Sequence, residues 1–245
     1  MPTTRAHTKI IVMTDVHANL PALQAALDAA AEEGYDEIVH TGDAIAIGPF
    51  PAECLDLLLS AGVTCTVGNH EDWFVHGLPT PRPEWLTKGE EAHQHWTHEQ
   101  LEPHHREALQ SWPTTITREI EGVRTVFTHY GMHPEGHGFK TPVRHAGASD
   151  LDEVFAGIQA DAVFYGHEHA PSDVSGNAHY VNPGSLGCHV LAAARWCIAT
   201  FSRGRVTVDF RSVPYGDAEL FAAFERRRVP ERAFICDVFL GGRHR

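Results

Sequence analysis

Five short clusters of metal-ligating side chains are spread along this chain, each directly after an apolar, strand-like run. They are Asp15-Val16-His17, Gly42-Asp43, Gly68-Asn69-His70-Glu71, Thr128-His129 and Gly166-His167-Glu168-His169. In an open α/β sheet, functional groups collect beyond the carboxyl ends of the strands. Five such ends meeting would gather two aspartates, an asparagine and several imidazoles, enough donors for two metal ions. Mixed nitrogen and oxygen donors suit Mn, Fe, Zn or Ni, whereas Mg and Ca prefer oxygen alone. Two divalent ions, two ionised aspartates and one hydroxide leave about one net positive charge. Such a pocket selects a small anion, a phosphate group above all. Two ions about 3.5–4 Å apart clamp both oxygens of an in-line phosphoryl displacement.

The elements that must position these residues can be read from patterning. Lys9 to Thr14, Glu37 to His40, Thr64 to Val67, Thr125 to Thr128 and Asp161 to Tyr165 are short runs rich in Val, Ile or Phe. Leu20 to Glu33 is an Ala/Leu-rich helix with Asn19 as N-cap, Pro21 in its first turn and Gly34 at its end. Pro51 to Ser60 is a second helix, so the first third alternates β-α-β-α-β, a signature of parallel pairing in a layered α/β domain. Residues 71–112 break this rhythm. A Pro-rich turn at Pro79–Pro83 leads to helical patches at Lys88–Gln100 and Pro103–Trp112, an insertion placed to roof a site. Hairpins are expected about Glu121-Gly122 and Ser202-Arg203-Gly204. Leu151–Ile158 and Asp217–Arg228 read as helices, Tyr180–Asn182 as a strand, and Ala233–Leu240 as an apolar tail. No internal repeat appears, so 1–245 reads as one domain with a helical insertion.

Composition narrows the function classes. The chain has 245 residues, 19 basic and 32 acidic, for a formal charge of −13. An acidic chain with no basic stripe is disfavoured for nucleic acid and for an anionic membrane surface. No apolar run approaches 18 residues and Met1 to Thr8 is polar, so neither membrane spanning nor secretion is expected. Cysteines 54, 65, 188, 197 and 236 form no CxxC pair and read as reduced, mostly buried thiols of a cytoplasmic protein. Oligomeric state is not encoded in any of these features.

Taken in order, the clusters resemble the calcineurin-like metallophosphoesterases, whose pattern runs D-x-H, G-D, G-N-H-[DE], a lone His and G-H-x-H. Asn182-Pro183-Gly184-Ser185 is similar to a loop of the smaller bacterial members. The resemblance implies a four-layer α-β-β-α sandwich of two mixed sheets. It implies one divalent transition-metal ion on Asp15, His17, Asp43 and His169, and a second on Asp43, Asn69, His129 and His167, with Mn the favoured metal. His70 would be the catalytic residue, beside the substrate phosphate as general acid or as stabiliser of the leaving oxygen. A metal-bridging hydroxide would attack a phosphodiester or phosphomonoester of a small substrate, nucleotides among them.

Two departures matter. The G-D-x-V-D-R-G of protein phosphatases is replaced by Gly42-Asp43-Ala44-Ile45-Ala46-Ile47-Gly48, without the second Asp and the Arg. That leaves His70 without its usual carboxylate partner and suggests an apolar wall from Ala44, Ile45, Ile47 and Phe50. His129 is also followed by Tyr130, where His-Gly is usual. Blander roles suit the other candidates: Glu71 and Glu168 facing solvent or standing behind the ligands, and His40 a satisfied core residue. The histidines at 93, 95, 98, 104 and 105 would form a solvated face, His133 and His137 would be ordinary loop residues, and Arg226–Arg228 would answer a helix dipole. His189 has no assigned role. The rival functions are a non-catalytic interaction module on the same fold, which would lack metal, and a nuclease.

Overall fold

The computed structural model describes residues 7–84, 86–134 and 138–243. In chain order, β1 (Thr8–Met13), α1 (Leu20–Glu33), β2 (Glu37–His40), α2 (Pro51–Ser60) and β3 (Thr64–Cys65) form the alternating segment. Helices α3 (Asn69–His76), α4 (Lys88–Glu99) and α5 (Pro103–Ser111) follow, then β4 (Thr115–Ile120) and β5 (Val123–Thr128). Next come α6 (Ala148–Val154), β6 (Ala162–Phe164), β7 (Ser172–Ser175) and β8 (His179–Asn182). The chain closes with β9 (Ala193–Ser202), β10 (Arg205–Pro214), α7 (Ala218–Arg226) and α8 (Arg232–Phe239).

Two mixed five-stranded sheets result, ordered β10-β9-β1-β2-β3 and β4-β5-β6-β8-β7. In the first, β1, β2 and β3 pair in parallel and β9 runs antiparallel to β1. In the second, β5, β6 and β8 are parallel. Side chains alternate across a strand, and β1 shows the consequence. Ile10 and Val12 face inward to meet Phe127, Phe164, Val181 and Phe201 between the sheets. Ile11 and Met13 face outward under α1, α2, α7 and α8. Helix α6 covers the outer face of the second sheet through Leu151, Val154 and Phe155, which completes four layers, α-β-β-α.

Local chemistry explains most boundaries. The Asn19 side chain accepts from Ala22 N at 3.2 Å and so caps α1. Both hairpins turn on two residues with positive φ, Glu121-Gly122 and Arg203-Gly204, a turn whose twist matches that of the strands. Strand β3 ends at Cys65, two residues short of the expected run, because Val67 N bonds Pro113 O instead of a neighbouring strand. Helix α6 starts at Ala148 rather than Leu151, since the Asp150 carboxylate accepts Gly147 N at 2.8 Å. Helix α3, strand β7 and helix α8 were not legible as elements. Helix α8 replaces the expected apolar tail, and its buried Ile235 and Cys236 belong to the outer core.

Phe164 lies fully buried between the sheets, stacked on Phe127 at 5.3 Å between centroids. Truncation to Ala should cost about 3–5 kcal/mol, read as a lowered urea midpoint with an unchanged slope.

Candidate metal centre

The five clusters stand on loops after β1, β2, β3, β5 and β6, at one edge shared by both sheets. Bringing them together requires the backbones to touch. At Gly68 a Cβ would stand 2.2 Å from Asp43 Oδ1, and at Gly166 a Cβ would stand 2.0 Å from Thr14 Oγ1. Those distances account for the glycines that precede Asn69 and His167. The same packing forces Asp15, His17, Asp43, His167 and His169 to positive φ, between 48° and 72°. Non-glycine residues rarely adopt this conformation, and clusters of them mark sites where the surroundings over-determine the backbone.

The structure brings all seven expected ligands and His70 into one place. On one side, His17 Nε2 lies 2.8 Å from His169 Nε2 and 3.6 Å from Asp15 Oδ1, and His169 Nε2 lies 3.5 Å from Asp15 Oδ1. On the other, His129 Nε2 lies 3.1 Å from both Asn69 Oδ1 and His167 Nδ1. Asp43 stands between them, its Oδ2 3.2 Å from His129 Nε2 and 3.8 Å from His17 Nε2. Donors bound to one ion at about 2.0–2.2 Å have neighbours about 3 Å away, so these groups are spaced as donors that could hold metal, with Asp43 reaching both. Cys188, whose sulfur joins His17 and His169 in a group within 4.8 Å, was not singled out from sequence because no motif marks it.

Electrostatics points the same way. Burial alone would raise the pKa of both aspartates. The surrounding imidazoles, His169 foremost for Asp15 and His129 foremost for Asp43, hold them well below the usual carboxylate range. Burial drives His167 down to about 3 and His169 down to about 4, so both stay neutral with lone pairs to offer. Burial also opposes charge on His129, but Asp43 and Asp15 outweigh it and lift this ring to about 9. A proton held on His129 thus offsets part of the negative charge of the two aspartates, and a cation at this position would take that proton's place. His129 Nδ1 sits 3.0 Å from Thr41 O, a contact that places a proton on Nδ1 and turns Nε2 toward the cluster.

Of the two places expected for Glu71, toward solvent or behind the ligands, the structure shows the second. It is fully buried and accepts four backbone N–H groups at 2.8–3.1 Å, from Asp43, Ala44, Ile45 and Gly68. Burial, then the Asp43 charge, pushes its pKa up to about 7 against the bonds from Gly68, Ile45 and Asp43. Asn182 and Ser185 brace the other side: Asn182 Nδ2 donates to Gly166 O, and Ser185 Oγ donates to Asp15 O. His70 finds its missing carboxylate replaced by the Gln94 amide from α4, with Nε2 3.0 Å from His70 Nδ1. Gln94 Oε1 lies 3.3 Å from the same nitrogen, so this amide can meet Nδ1 as donor or as acceptor, while His70 Nε2 faces Asp43 Oδ2 at 3.9 Å. Burial lowers the pKa of this ring to about 4.

Other expectations need correction. Ala44, Ile45 and Phe50 form no pocket wall but pack into the outer core. His40 is buried with neither ring nitrogen bonded to a described residue, so it is not a satisfied core residue. The solvated face fails at His93 and His105, both buried. His93 accepts Ile47 N and contacts Pro230 O, while His105 Nε2 reaches Asp56 Oδ1 at 3.0 Å and ties α5 to α2. Arg227 answers Glu53 and Pro49 O rather than a helix dipole. His133 is an exposed loop residue, His189 Nδ1 accepts Leu191 N, and His137 lies outside the described residues.

Replacing Glu71 by Ala would strand four buried N–H groups at about 1–3 kcal/mol each before relaxation. A loss of several kcal/mol is expected in denaturant unfolding, and Glu71→Gln should recover only part of it.

Comparison with known proteins agrees with this architecture. The chain is 27% identical over 241 residues to an uncharacterised protein of Methanocaldococcus jannaschii, covering 91% of this chain and 94% of that one. A metallophosphoesterase from Sphaerobacter thermophilus superposes with TM-score 0.69 at 25% identity, covering 91% of this chain and 95% of the other. A hypothetical protein from Pyrococcus horikoshii shares the fold with TM-score 0.77 at 21% identity, covering 96% and 99%. The calcineurin-like phosphoesterase superfamily domain matches residues 8–203, a span that contains every candidate ligand from Asp15 to His169. The chain therefore belongs to the calcineurin-like phosphoesterase superfamily.

Proposed function

We propose that the protein is a two-metal phosphoesterase that hydrolyses a small phosphodiester or phosphomonoester, with Mn the favoured metal. The observation that carries this reading is the placement of Asp43 between two groups of donors, with carboxylate-to-imidazole distances of 3.2 and 3.8 Å to His129 and His17. Asp15, His17, Asp43 and His169 would hold one ion, and Asp43, Asn69, His129 and His167 the other. When bound, such a pair supplies Lewis acidity toward phosphate oxygens and lowers the pKa of water to about 7.

The chain's own residues would do the rest. Asp15 accepts the His167 backbone N–H at 3.1 Å, which fixes one ligand loop against the other. Asp43 Oδ1 accepts His70 N at 3.1 Å, which sets His70 at the edge of the cluster. With Gln94 holding the opposite nitrogen, His70 Nε2–H is placed to donate to the leaving oxygen. A diester is the better fit, because Ile47 stands where an Arg would grip a dianionic monoester. The five cysteines are unpaired and buried, which supports a reducing, cytoplasmic setting. Among the described residues no helix is long and apolar enough to cross a membrane.

Asp43→Ala should bind less than half the Mn of the parent by elemental analysis and lose hydrolysis of bis(4-nitrophenyl) phosphate. His70→Ala should keep the parent metal content and lose about 10²–10⁴ in kcat; full turnover in that variant would remove the assigned role. Chelation should abolish activity and added Mn should restore it. A protein that takes up no transition metal would instead be the interaction module.

A further inference from the structure

Beside His70 lies a cavity of about 180 Å³ that the metal ligands do not fill. Its walls are Ile47 from the Asp43 loop, Trp73 from α3, Leu86 before α4, and Phe234, Ile235 and Phe239 from α8. It opens directly onto the cluster: Trp73 stands edge-on to His70 at 5.1 Å, and Phe239 lies 5.9 Å from His169 between ring centroids. Asn69, His70, His93 and Gln94 supply its neutral polar atoms, and among the described lining residues the charged ones are Glu90 and Glu231. Glu231 lies over Gly89 of α4, where a Cβ would come within 2.3 Å of its carboxyl group. His93 ties the same three segments, bonding Ile47 N at 2.8 Å and Pro230 O at 3.2 Å. The α8 wall lies outside residues 8–203, so what enters here is set by a part of the chain that the family match does not reach.

We infer that this cavity receives the leaving alcohol of the substrate, and that this alcohol carries one uncharged planar aromatic or heteroaromatic ring. The inference rests on the phosphoesterase reading and names the substrate class of that same site. Size argues for a single ring, since a dry apolar cavity of about 150 Å³ holds one benzene. Aromatic faces and edges reward stacking by about 1–3 kcal/mol per ring. Charge argues against a further phosphate. Two carboxylates and no Lys or Arg among the described lining residues repel the anionic tail of a polyphosphate, and they accept hydrogen bonds from N–H or O–H groups on a ring.

The test compares the Mn-loaded protein on three esters: bis(4-nitrophenyl) phosphate, ring-free glycerophosphoglycerol and diadenosine tetraphosphate. The aryl diester should be preferred over the tetraphosphate at least about tenfold in kcat/KM, which is 1.36 kcal/mol. Phe234 is 47% exposed, so Phe234→Ala leaves the fold intact and should raise KM for the aryl diester about tenfold. In this variant KM for glycerophosphoglycerol should stay unchanged. Glu231→Lys should raise kcat/KM on diadenosine tetraphosphate. Equal KM changes on the ringed and ring-free diesters, or no gain from Glu231→Lys, would overturn the inference while leaving the phosphoesterase reading in place. A wild-type protein that binds metal and hydrolyses none of the three would overturn both.

Discussion

Candidate ligands for one centre are drawn from two separate sheets, so their grouping holds only while the carboxyl edges of those sheets stay in register. Asp15, His17, Asp43, Asn69 and His70 follow strands of the first sheet, whereas His129, His167 and His169 follow strands of the second. The stitches between them join a side chain of one loop to the backbone of another. The His167 N–H donates to Asp15, Ser185 Oγ donates to the Asp15 carbonyl, and His129 meets the carbonyl of Thr41. The distance between the sheets is fixed by Phe127, Phe164, Phe201 and their neighbours, since a close-packed interior resists even small changes of volume. The core between the sheets thus sets the donor spacing at their edge.

Three buried carboxylates serve this arrangement through different partners. Asp15 and Asp43 are ringed by imidazoles, which offset their charge but leave oxygens free to coordinate. Glu71 instead turns both oxygens to backbone N–H groups and holds the strained Asp43–Ile45 turn. Burying a charge is costly unless such partners are present. Each acid is therefore matched to a role by what its neighbours can donate.

The layered frame was legible from sequence because hydrophobic period and capping residues agree there. Asn19, Pro21 and Gly34 bracket α1, and the five apolar runs all contain strands. The seven ligands were legible as a group because each cluster closes one of those runs. What escaped was whatever depends on contacts distant in sequence. Whether Glu71 faces solvent or stands behind the ligands is decided only when Ala44 and Ile45 are folded onto it, and nothing near Gln94 announces that it will meet His70, 24 residues away. His93 and His105 sit in a polar stretch that reads as solvated, yet their ring nitrogens are used between segments 46 to 137 residues apart. Helix α8 carries little helical signature of its own and is held by tertiary packing.

The left-handed backbone at Asp15, His17, Asp43, His167 and His169 carries a thermodynamic consequence. Each such residue costs about 1–2 kcal/mol relative to an ordinary conformation, so five together rival the whole margin of about 5–15 kcal/mol that keeps a domain folded. An ion that binds the native centre and ignores the denatured chain would offset that outlay with the logarithm of its concentration over its dissociation constant. Melting temperature would then act as a gauge of metal supply, and scarcity would be felt first as lost protein rather than as lost rate.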